Sequence, residues 1–224
     1  LTFSIVARAG SPPLFGVAIA SSSPAVAARC AHARAGVGAA ASQNITDPAL
    51  GGRLLDALSA GAGSRAALEQ ALADTPFAEF RQLLLIGASG PPEVHTGAAA
   101  LGTVGTAIGA DAAAAGNLLA SDGVPAAMLA AFERASGHLG TRLLDALRAG
   151  LAHGGEAGPV HSAGLLVVRD LSWPLVDLRV DWTLGCPVSE LAAIWDVYAP
   201  QMDAYVQRAL DPRAAPRFGV PGDP

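Results

Sequence analysis

The chain has 224 residues, enough for one large domain with an ample core, and its 51% hydrophobic and 15% charged content excludes a disordered protein. A net charge of −5 with no Lys/Arg-rich run argues against nucleic acid or an anionic membrane as the partner. All 14 basic residues are arginines, so no lysine is available as Schiff-base former, phosphate clamp or general base.

The elements follow in chain order. Residues 2–8 alternate in character and read as a strand beginning at Thr2, paired with a second strand at 15–20 across the turn-rich Ala9-Gly10-Ser11-Pro12-Pro13. A strand is expected at 35–43, preceded by a short one around 25–29. Thr46-Asp47-Pro48 has the form of a helix start and leads a helix to about Ser59, with Leu50, Leu54, Leu55 and Leu58 at helical spacing. Ser64 heads a second helix to Leu72. Residues 81–86 and 93–96 read as a hairpin around Gly90-Pro91-Pro92. The alanine- and glycine-rich stretch 98–115 is assigned two short strands. Helices are expected at 124–135 and 139–151, strands at 160–169 and 175–181, and one long helix at 188–210, kinked at Pro200.

Hairpins separated by helix pairs predict two stacked, mainly antiparallel sheets with helices outside, an α+β architecture in one domain over residues 1–210. Residues 211–224, with four prolines, read as an exposed tail. Strand–GxGxxG–helix and GxxxxGK[ST] patterns are absent, which disfavours a nucleotide fold. Neither an uninterrupted apolar run of membrane-spanning length nor a signal peptide is visible. Cys30 and Cys186 show no paired spacing and fit buried thiols in a reducing cytoplasm. Without HxH, HExxH or CxxC spacing, neither a metal nor another cofactor is expected.

Thr2 carries the chemistry of interest. A threonine with a free α-amine is nucleophile and base in one residue: the hydroxyl attacks a carbonyl and the amine, with an ordinary pKa of about 7.7–8.0, takes the proton. The bland alternative is a β-branched residue opening a strand. Antiparallel pairing brings Ser21, Ser22 and Ser23 beside Thr2, where they either orient an amine or a bound carbonyl or simply bond their own backbone. Gln43, at a strand end, is a candidate substrate contact, whereas Thr46 and Asp47 read as caps. Asn117 at another strand end is a candidate oxyanion donor or a turn residue. Asp177, Arg179 and Asp181 share one strand face. Either they line a site, with Asp177 setting the amine's ionisation and Arg179 meeting substrate, or they form an ion-pair ladder or subunit interface.

The opening Thr2-Phe3-Ser4-Ile5-Val6-Ala7-Arg8 and the segments Gly16-Val17-Ala18-Ile19-Ala20-Ser21 and Ala35-Gly36-Val37-Gly38-Ala39 resemble a bacterial family of unknown function. So do Arg81-Gln82, Thr96-Gly97, Gly116-Asn117-Leu118-Leu119, Ser162-Ala163 and Asp177-Leu178-Arg179-Val180-Asp181. The resemblance implies the N-terminal-nucleophile (Ntn) hydrolase superfamily, with its proteasome-like four-layer αββα sandwich. It implies cleavage of a C–N bond in a small amide, lactam or cyclic imide-like metabolite by Thr2, once the preceding residue, here Leu1, is removed. The chain departs from the family pattern at Ala9, at Ser22-Ser23 and over 98–115. Those departures favour the alternative, an inactive small-molecule-binding or assembly subunit on the same fold. A third reading is a different enzyme using the same pocket without Thr2. A homo-oligomer is expected from low charge and apolar surface.

Overall fold

The structure is a computed structural model that describes residues 2–73 and 75–218. The described residues form ten strands and seven α-helices. Strand β1 (Thr2–Ala9) pairs with β2 (Leu14–Ser21) on one side and with β8 (Ala112–Asn117) on the other. Around this centre lies a six-stranded antiparallel sheet in the order β10-β9-β2-β1-β8-β7, with β7 at Gly105–Ile108, β9 at Ser162–Val168 and β10 at Val176–Val180. The second sheet has the order β3-β4-β5-β6, from Ala31–Arg34, Gly38–Asn44, Arg81–Gly87 and Glu93–Thr96, and is also antiparallel.

Three apolar clusters order the layers. Phe3, Ile5 and Ala7 of β1 pack with helices α4 (Val124–Arg134), α5 (Leu139–Ala152) and α6 (Pro187–Tyr198). Val6, Phe15 and Val17 turn the other way and meet Ala39, Ala41, Leu84 and Ile86 of the second sheet. Beyond that sheet, Ala40, Leu83 and Leu85 lie under α2 (Ala49–Ser59) and α3 (Ser64–Ala73). The succession helices, sheet, sheet, helices is compatible with the expected sandwich. Because β1 is covered on both faces, its alternation separates two buried layers rather than core from solvent.

Three expected elements are corrected. Residues 26–30 are a short helix, α1 (Val26–Cys30), not a strand; Ala25 turns into it at φ 51°, and the Val26 N–H donates to Ser162 Oγ at 3.3 Å. The strand expected at 35–43 starts only at Gly38, because a turn through Gly36 at φ +71° folds β3 back on β4. The C-terminal helix is broken as well as kinked. A 3₁₀ turn at Ala199–Gln201 carries Pro200, which lacks the N–H that a continuous helix needs, and α7 (Met202–Leu210) follows. The tail at 211–218 is mostly exposed, with Phe218 under the Arg208 guanidinium at 3.6 Å; its remaining residues lie outside the described ones.

Candidate active site

Antiparallel pairing brings one end of β1, β2, β4, β5 and β8 together. Side-chain alternation points Thr2 and Ser4 into the space between the sheets, the face opposite Phe3 and Ile5. Thr2 is 6% exposed, so its side chain sits at the rim of that space. Its hydroxyl donates to Ser21 Oγ at 3.3 Å, and Ser21 Oγ also accepts the Ser23 N–H at 3.0 Å. Across the other edge, Thr2 stands opposite Asn117 in register.

Below Thr2 the interlayer is filled by neutral amides. Ser4 donates to Gln43 Oε1 at 2.7 Å, and Gln43 Nε2 donates to Gln82 Oε1 at 2.8 Å and to the Ala115 carbonyl at 3.3 Å. Gln82 Nε2 donates to Thr96 Oγ1 at 3.0 Å and to the Gly116 carbonyl at 3.1 Å. The two backbone carbonyls require the NH₂ group at each glutamine, which fixes their orientation. Asn117 therefore presents its NH₂ to Gln82 Oε1, at 3.1 Å. Its Oδ1 is buried with no hydrogen-bond partner among the described residues. A buried acceptor left unpaired costs about 1–3 kcal/mol, which makes this edge of the site receptive to a donor. The chain bends sharply beyond these strand ends. Asn44 and Leu118, directly after Gln43 and Asn117, and Ala25 after the serines all hold positive φ, at 72°, 50° and 51°. Such strain recurs at sites whose geometry is held by the surrounding fold.

The residue missed in the sequence is Glu156. It lies in the connection from α5 to β9, is 3% exposed, and accepts the Ser22 N–H through both oxygens at 3.0 and 3.2 Å. Burial pushes its carboxyl up to about 7, against the lowering effect of the Ser22 bonds and of His161. Its signal in the sequence was one acid inside Gly154-Gly155-Glu156-Ala157-Gly158, where no periodicity marks a buried position. His161, just ahead of β9, bonds the Thr183 carbonyl through Nδ1 at 2.8 Å and stacks on Trp182 at 4.5 Å.

The structure thus brings together Thr2, Ser21, Ser22, Gln43 and Asn117 and adds Ser4, Gln82 and Glu156. Asp177 and Arg179 are elsewhere. They occupy edge strand β10, three strands from β1 and so about 14 Å away. There they pair with each other at 2.7 and 2.9 Å, the exposed ion pair of the ladder alternative, and Asp177 is not placed to set the ionisation of a Thr2 amine. Asp47 precedes α2, its Oδ1 accepting the Ala49 N–H at 3.0 Å, while the N-cap position itself is Pro48, without a side-chain cap. Among the described residues no group of three or more His, Cys, Asp or Glu side chains could hold a metal, and no helix is long and apolar enough to cross a membrane.

Comparison with known proteins adds a family and a solved fold. The profile of a family described as of unknown function (DUF1028) matches residues 2–191. A crystal structure of a DUF1028 protein from Silicibacter pomeroyi superposes with a TM-score of 0.82, at 27% identity over 89% of each chain. No curated protein matches the chain.

Proposed function

Since the chain belongs to the DUF1028 family, whose function is unknown, we propose, from its resemblance to the Ntn hydrolases together with the setting of Thr2, that it is an Ntn-type amidohydrolase acting on a small amide, lactam or cyclic imide. The observation that carries the reading is the setting of Thr2. Its hydroxyl lies at the rim of a neutral amide network, hydrogen-bonded to Ser21 and opposite Asn117. In this reading the residue ahead of Thr2 is removed, which frees the α-amine. The Thr2 hydroxyl attacks the substrate carbonyl, a C–O bond forms, and the amine takes the hydroxyl proton. The second N–H of the Asn117 amide faces the oxygen on which charge develops. Collapse breaks the C–N bond, the leaving nitrogen takes the proton back from the ammonium, and an ester on Thr2 remains. Water, deprotonated by the same amine, cleaves that ester and restores Thr2. Ser21 and Ser22 line the entry, and Gln43 holds the network from below. No cofactor enters these steps. The same reading keeps a cytoplasmic homo-oligomer, checked by the mass of the native particle.

The alternative, a binding or assembly subunit, requires that Thr2 never gain a free amine. Two measurements decide. The intact mass of protein expressed from its native start is expected to show Thr2 as residue one. An epoxyketone, which needs both a hydroxyl and the adjacent amine to form its ring adduct, is expected to modify the wild type and to leave Thr2→Ala unmodified. Retention of a residue ahead of Thr2 throughout, or equal labelling of the variant, overturns the hydrolase in favour of the binder.

A further inference from the structure

The segment carrying Glu156 is tied to both neighbours of β1. On the β8 side, Ala157 N–H donates to the Leu118 carbonyl at 2.9 Å and Ala120 N–H to the Gly155 carbonyl at 3.0 Å, so Glu156 forms a bridge with Leu119. On the β2 side, its carboxylate reaches the Ser22 N–H at 3.0 Å. Leu119 follows β8 and Ser22 follows β2, and β1 lies between those strands. β8 and β2 are two strand spacings apart, about 10 Å. A side chain anchored beyond one and bonded beyond the other spans the interval between them, at the end of the sheet where Thr2 stands. On the flank of Thr2 nearer β8 lies the Asn117 Oδ1, the buried acceptor without a donor among the described residues. The end of β1 is therefore bracketed by a buried carboxyl and an unpaired carbonyl oxygen, both acceptors.

We propose that Glu156, with Asn117 Oδ1, is the seat of the Thr2 α-ammonium: a positioning residue that orients the amine and holds its positive charge. An ammonium has three N–H donors and no acceptor, the complement of what brackets β1. Among the described residues, His161, ahead of β9, is the charged group that acts on Glu156. The ion pair stands independently of any reaction. Its catalytic consequence rests on the hydrolase reading: the carboxylate stabilises the ammonium formed as the hydroxyl loses its proton, and so favours attack.

The chain has no lysine, so in protein whose mass shows Thr2 as residue one the α-amine is the sole primary amine. Its pKa can be read from the pH dependence of acetylation by acetic anhydride, with the N-terminal peptide quantified by mass. Glu156→Gln keeps an acceptor for Ser22 and removes the charge. The amine pKa is expected to fall by about one unit in the variant, a tenfold shift in the ratio of protonated to free amine at a given pH. An unchanged amine pKa in a folded variant overturns the proposal. If the variant does not fold, the wild type decides by carbon-13 titration of the Glu156 carboxyl. A coupled pair gives midpoints shared with the amine, whereas independent midpoints overturn the proposal. Neither readout uses a substrate. Loss of the epoxyketone adduct with an intact amine shift therefore removes the hydrolase and leaves the ion pair, and the reverse result removes the ion pair alone.

Discussion

Glu156 is held between opposing influences, and burial wins. With its carboxyl at about 7 against an ordinary value of 4.5, the folded chain keeps a proton that the unfolded chain has already released. The sign follows by linkage. The stabilisation is complete below the unfolded value and is lost as pH rises from about 4.5 to about 7. The span corresponds to about 3 kcal/mol. In protein that retains the residue ahead of Thr2, the melting temperature is expected to fall across that window, and Glu156→Gln is expected to flatten the profile. The same slope in both proteins would show that Glu156 is not the group responsible. Residue-scale reasoning from sequence reached Ser21 because antiparallel pairing alone brings strand ends together, and Asn117 only as an amide at a strand end. It could not reach Glu156, whose position depends on the α5–β9 connection meeting the chain both after β8 and after β2. It also placed Asp177 and Arg179 near the site as one option, since alternation gives the face of a residue but not how far its strand lies from β1.

At the scale of elements, the connection after β2 shows how the site is propped. Ser162 Oγ donates to the Ser23 carbonyl at 2.6 Å and accepts the Val26 N–H, so the start of β9 fixes both the serine turn and α1. The helix can lie so close only because β9 carries Gly164, where an added Cβ would stand 2.3 Å from the Ala27 Cβ. Ala27 has no flexible end to move aside. Gly164→Ala is therefore expected to push α1 off the sheet at a cost of about 1–3 kcal/mol, the usual range for overpacking. It is also expected to loosen the serine turn, which differential scanning calorimetry and amide exchange at Ser22 and Ser23 would reveal. A variant as stable as the parent, with unchanged exchange, would mean that α1 is not a prop. The identity of α1 was not legible locally. Its alanines suit a helix, but five residues give too little periodicity to tell helix from strand, and the decisive contact is with a residue more than a hundred positions away.

The whole molecule turns on how thin the layer between the sheets is. Ala39 and Ala41 of β4 and Ala113 and Ala115 of β8 are fully buried there, interleaved with Val6, Phe15, Val17, Leu84 and Ile86. On the other face of β8, Ala112 and Ala114 leave room for Val124, Met128 and Phe132 of α4. Small residues on both faces of one strand explain why the two short strands expected within 98–115 carried no bounds: a run of alanines carries no alternation, although β8 lies beside β1 in the larger sheet. The hairpins and helix pairs, whose large residues do alternate, were legible, and with them the layered plan. The same geometry sets the tolerance of the core. Ala113 lies opposite Val6 on one side and Ile108 on the other, fully enclosed, so Ala113→Leu must part the sheets or displace Leu84 and Ile86. The expected cost is about 1–3 kcal/mol, or roughly 3–10 °C in melting temperature for a chain of this size. The Thr2–Ser21 end, where the sheets are joined by the Ser4–Gln43–Gln82 bonds, should feel that separation as faster amide exchange in β4 and β5. Wild-type stability in Ala113→Leu would show slack between the sheets, and the amide network would then lack the rigid frame that holds Asn117 opposite Thr2.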